Sequence, residues 1–204
     1  MKKILFLFLA ACFFFSCEKE TIVIPQQHAG RTVLAFFWAD NSLNSSLRNN
    51  IQTMMQGLQA MKDSAALLVY WDGEASDISW PEPCIVEYVT NGQGGINSLS
   101  KGTIDAMMAD KNTSIYDLIG IGNIRKKYPP QTSTEKTVMQ TVIGDMMSVY
   151  PSESYGIIFG SHGSGWLPTI AGTRSIGQDG GWHSSDTALI PELAVAIKVA
   201  PRMY

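Results

Sequence analysis

The chain has 204 residues, 45% of them hydrophobic and 16% charged, with a formal net charge of −3. That is enough apolar material for one globular domain with a sizeable core, and it excludes a largely disordered chain. Phosphate backbones select clustered Lys and Arg; 15 basic residues against 18 acidic ones, with no basic stripe, argue against a nucleic-acid partner.

The first segment reads as targeting rather than fold. Lys2 and Lys3 form a positive start, residues 4–15 are apolar but too few to span a bilayer, and charge resumes at Glu18. Two cysteines sit where a lipoprotein signal peptidase would cut. Cys12, in LAAC, has the better-matching residues before it, and Cys17, in FFSC, has the better position. A cut before Cys17 removes the whole apolar run and is preferred. The pattern resembles bacterial lipoproteins, especially those of the Bacteroides group. That resemblance implies lipidation at Cys17 and a lipid-anchored place at the outer membrane or surface of a Gram-negative cell; an ordinary cleaved secretory signal is the alternative. The expected division is a signal peptide over 1–16, a tether over 17–30 and a domain over 31–204. Only Cys84 is left in the domain, so no disulfide framework is expected. His28, His162, His183 and Cys84 lack the short paired spacing of a zinc site.

From residue 31 strand-like and helix-like segments alternate, the pattern of an α/β sheet with helices on its faces. RTVLAFFW at 31–38 lacks polar alternation and suits a central parallel strand. Residues 40–46 carry turn and cap chemistry. Leu47, Ile51, Met54, Met55, Leu58 and Met61 then recur at helical spacing, with the methionines as core filler. AALLVYW at 65–71 is a second buried strand, closed by an Asp72-Gly73 turn. IVEYVT at 85–90 reads as an edge strand between Pro83 and the glycines after Asn91. Residues 114–127 give no clear pattern. A helix follows with Val138, Met139, Val142, Ile143, Met146 and Met147 on one face, stopped by Pro151. An apolar strand from Tyr155 ends abruptly at His162. Beyond it a Gly-rich polar loop is expected as far as Asp186, then a short helix over 190–199 with Pro191 in its first turn.

The carboxyl ends of parallel strands carry ligand and catalytic groups, because the loops there converge over a rigid platform. His162 is expected at such an end, and the glycines at 163 and 165 allow a ligand close to the backbone. Asp40 and Asp72 end strands on the same side and either border a cleft or simply form turns. His183, in the polar stretch GWHSSD, reads as solvated.

FWADNSL at 37–43, VYWDG at 69–73, YPSESYGIIFGSHGSGW at 150–166 and IPELAVAI at 190–197, in that order, resemble the clostripain family of cysteine peptidases, relatives of gingipains and caspases. The resemblance implies a caspase-like, mostly parallel sheet flanked by helices, incomplete at its C-terminus. It implies a protein or peptide substrate cut after Arg or Lys, with His162 assisting a cysteine thiolate and the backbone N–H of Gly163 stabilising the oxyanion. Trp166 and Asp40 would border the substrate, and processing of the loop would follow Arg174, for which a plain surface arginine is the alternative. Some relatives require calcium, but no EF-hand-like spacing occurs and no ligands are assigned. The family's nucleophile follows the next strand, and no cysteine occurs here after position 84. Cys84 precedes the histidine and is a poor substitute. The 204-residue chain is therefore expected to be the N-terminal part of such a peptidase and inactive alone; a non-catalytic surface lipoprotein on a retired peptidase scaffold, binding a partner, is the other reading.

Overall fold

A computed structural model describes residues 29–61, 65–73, 82–110, 113–162, 175–178 and 187–189. Its centre is a five-stranded sheet. Strand β1 (Ala29–Ala39) lies between β2 (Ala65–Gly73) and β5 (Ser152–Gly160), parallel to both. Strand β3 (Cys84–Val89) adds antiparallel to β2, and β4 (Asn123–Lys127) antiparallel to β3. Four of the five strands thus point the same way. Strands β6 (Ser175–Gln178) and β7 (Thr187–Leu189) pair antiparallel as a separate two-stranded sheet.

Alternation along β1 explains the layering. Ala35, Phe37 and Ala39 face one side, where they meet Leu47, Ile51, Met55 and Leu58 of helix α1 (Asn44–Ala60). Ile104 of α2 (Lys101–Ala109) and Leu118 and Ile119 of α3 (Ile115–Ile121) complete that layer. Leu34, Phe36 and Trp38 face the other side, covered by Met139, Val142, Ile143 and Met146 of α4 (Lys136–Val149). Both faces of β1 and β2 are therefore dry, as their unbroken apolar runs predict. The turn from α4 into β5 is pinned by Tyr155, whose hydroxyl accepts from Ser152 N at 2.7 Å and lies 3.2 Å from Tyr150 O.

Five expectations change. Strand β3 is internal, because β4 covers the edge it would have had. Asp72 and Gly73 belong to β2 rather than to a turn, paired in register with Trp38 and Ala39. Met61 follows the end of α1 and is 41% exposed, outside the buried face. The expected loop from 163 to 186 contains β6. The helix expected over 190–199 lies outside the described residues, and β1 begins at Ala29, inside the expected tether.

Candidate functional site

The connections explain where a site forms. The chain steps outward from β1 to β2, β3 and β4, then returns to place β5 on the other side of β1. At the β1/β5 boundary the strand order reverses, and a crevice at such a switch point is where open α/β sheets bind ligands. Residues 40–43, after β1, and residues 161–162, after β5, flank it.

Asn41 stiffens the first of these turns. It is buried; its Nδ2 donates to Trp38 O at 2.6 Å and to Ser161 Oγ at 3.2 Å, and its Oδ1 accepts from Leu43 N at 2.9 Å. One amide thus ties β1, the start of α1 and the end of β5 together. The neighbouring Ser42 reaches His162, with Oγ 2.9 Å from Nε2. His162 is half-buried. A hydroxyl on one ring nitrogen helps fix the orientation of the imidazole.

The end of β5 is clamped from both faces. On the α4 side Phe159 stacks on Trp38, centroids 5.6 Å apart at 22°, and Trp38 meets Phe36 at 4.8 Å. On the α1 side Gly160 packs so closely that a Cβ there would lie 2.6 Å from Phe37 Cδ1 and 2.7 Å from Leu47 Cδ2. Only glycine lets the strand approach that near, and His162 follows two residues later.

Other expected residues fall differently. Cys84 is the first residue of β3, fully buried and in no disulfide. In register it lies beside Trp71, then Phe37, then Gly160, so three strand spacings of about 4.8 Å, roughly 14 Å, separate it from the strand leading to His162. It cannot serve that histidine. Asp72 does not open toward the crevice. It is buried on the α4 face and accepts a hydrogen bond from Ser133 Oγ, which also contacts Tyr70 OH at 2.6 Å; Gln131 Nε2 donates to the same phenol at 2.9 Å. This network anchors the segment before α4. Asp40 is half-buried at the bend after β1, two residues from Ser42. Gly163, Trp166, Arg174, His183, Cys12 and Cys17 lie outside the described residues. Among those that are described, no three His, Cys, Asp or Glu side chains are grouped to hold a metal ion.

Nothing local in the sequence singles out Asn41 and Ser42, since DNS after a strand looks like ordinary turn chemistry. Their only signal is position, directly after the first central strand.

A family model described as the clostripain family, peptidase C11, matches residues 35–203. Among solved structures, a secreted C11 cysteine protease from Bacteroides thetaiotaomicron, in complex with an irreversible peptide inhibitor, is similar at 25% identity and a TM-score of 0.57; the alignment covers 86% of this chain and 40% of that one. A B. fragilis cysteine protease aligns at 28% identity over 71% of this chain and 98% of that one, with a TM-score of 0.48. A B. thetaiotaomicron clostripain in complex with a peptide inhibitor aligns at 17% identity over 70% of this chain and 97% of that one, also with a TM-score of 0.48. Comparison with curated proteins finds no match.

Proposed function

Because the chain belongs to the clostripain family of cysteine peptidases, we propose that the complete protein is an endopeptidase cleaving after Arg or Lys, with His162 assisting a cysteine thiolate. One observation carries the reading: Ser42 holds the imidazole of His162 at 2.9 Å in the crevice where the strand order reverses. The chain spans 40% of the length of the secreted protease it resembles, and residues 85–204 contain no cysteine, so the thiolate is assigned to no residue of this sequence.

The chemistry follows from the roles. The thiolate attacks the scissile carbonyl carbon, and the developing oxyanion takes a hydrogen bond from Gly163 N–H, a preorganised donor typically worth about 3 kcal/mol. The C–N bond breaks as the imidazolium of His162 gives its proton to the leaving amine. Water, deprotonated by the same imidazole, then cleaves the thioester. Ser42 on Nε2 orients the imidazole for both transfers. Asp40 and Trp166 border the substrate. The preference for a basic residue rests on the family likeness, and an anchor at Cys17 on the resemblance of residues 1–17 to lipoprotein signals; the relative named above is a secreted enzyme.

Capture by an electrophilic peptide tests the reading. A ketone-based electrophile placed after an Arg residue should add covalently to one cysteine of the complete protein. Peptide mapping should place the adduct on a cysteine other than Cys84. No adduct would favour a non-catalytic scaffold, and an adduct on Cys84 would overturn the assignment of His162.

A further inference from the structure

A cavity of about 350 Å³ lies at the opposite end of the sheet, lined in part by Glu87, Val89, Asn91, Asn97, Ser98 and Asn123. The adjoining Thr90 bonds through its N–H to Ala65 O, at the first residue of β2, so the length of that strand, roughly 26 Å, separates the cavity from the His162 end.

Two asparagines frame the cavity and are used up in doing so. Asn97, with φ of 51°, accepts from Val89 N at 3.0 Å and donates to Glu87 O at 3.3 Å and Ile121 O at 3.0 Å. Asn91 accepts from Gln93 N and Gly95 N and donates to Asn97 O and Leu99 O. What remains is acceptor capacity. The Glu87 side chain is 1% exposed, and its Oε1 has no hydrogen-bond partner among the described residues. Its Oε2 receives only long contacts, 3.3 Å from Asn123 Nδ2 and 3.5 Å from Arg125. With Asn123 Nδ2 given to Glu87, the amide oxygen of Asn123 is left to accept.

A buried carboxylate so thinly paired is costly, and a donor-rich cation relieves that cost. An anion would be repelled. A divalent metal is disfavoured by the single carboxylate and by the guanidinium beside it. We propose that this cavity binds a small primary amine, an ammonium on a chain of a few carbons, which takes Arg125's place on Glu87. Arg125 is 39% exposed and can swing into water. The terminal torsion of a glutamate is soft, so Oε1 can turn to meet the incoming donor. The three ammonium donors then satisfy Glu87, Asn123 Oδ1 and the Ser98 hydroxyl, and the alkyl chain rests on Val89.

Titration of the full chain with 1,4-diaminobutane, followed by amide chemical shifts, tests the proposal. Shifts should cluster at residues 87–98 and 123, and the neutral 1,4-butanediol should cause none. Glu87→Gln should weaken binding by about tenfold or more, the scale of a lost hydrogen bond to a charged group. Arg125→Met should tighten it severalfold by removing the competitor. Should Glu87→Gln fail to fold, the diol comparison and Arg125→Met decide. Equal binding of the diol, shifts elsewhere, weaker binding in Arg125→Met, or calcium chloride producing the same shifts at lower concentration would each overturn it.

Discussion

Replacing Gly160 by alanine should disturb the site without touching any reacting group. The added Cβ would begin 2.6 Å from Phe37 Cδ1 and 2.7 Å from Leu47 Cδ2. Carbon atoms sit comfortably at about 3.5–4.0 Å, so roughly 1 Å of separation must be found. Phe37 is 1% exposed, between β1 and α1, and has little room to yield, so the end of β5 must lift from α1. Overpacking of this kind costs about 1–3 kcal/mol, which for a domain of this size lowers Tm by about 2–12 °C. The same displacement carries His162, two residues on, away from Ser42. A 2.9 Å contact lengthened by 1 Å is no longer a hydrogen bond. Circular dichroism melting gives the stability loss, and the ring-nitrogen shifts of His162 report the Ser42 contact. An unchanged Tm together with unchanged imidazole shifts would refute the view that Gly160 sets the position of the histidine.

Asp117 closes the capping box of α3, and hydrogen bonds from the Ser114 hydroxyl and N–H hold its carboxyl below the ordinary carboxylate value. Because the folded value is lowered, its contribution to stability is present above the unfolded value near pH 3.9 and is lost as pH falls through the folded one. Ser114→Ala should raise the Asp117 titration midpoint by carbon NMR; an unmoved midpoint would remove the hydroxyl as its main cause. Cys17→Ala should abolish labelling by a palmitate analogue in growing cells, whereas loss of label only in Cys12→Ala would move the anchor. Arg174→Ala in the complete protein should block a cut that otherwise yields a fragment starting at Ser175, the first residue of β6; full activity in an uncut chain, or a new N-terminus elsewhere, would discard that processing step.

Segments buried on both faces were the easiest to read. β1, β2 and the buried stripe of α4 announce themselves because dry surroundings admit only apolar residues, in a run or at helical spacing. β4 could not be read that way: NIRKK is exposed along its whole length, and its basic residues pair with Glu87, Asp145 and Glu82 instead of a core. Missing β4 is what made β3 look like an edge. α3 has seven residues, too few for a period to stand out. β5 misled in the other direction. Its apolar run suggests burial, yet among the described residues β1 is its one partner, and Ile158 is 42% exposed. For the candidate site, the place of His162 at the end of β5 was legible because an apolar run stops there at an imidazole between small residues. Ser42, Asn41 and the tight fit of Gly160 depend on chain segments about 120 residues apart, and no local pattern encodes that meeting.

The central claim is that His162 acts in peptide-bond cleavage, and hydrolysis of an Arg-containing peptide amide by the complete protein tests it most directly. His162→Ala should lower kcat/KM by about 10²–10⁴-fold, the usual share of general acid–base catalysis, while the Tm stays within about 1 °C of the wild type. Unaltered turnover in a folded His162→Ala protein would contradict the account.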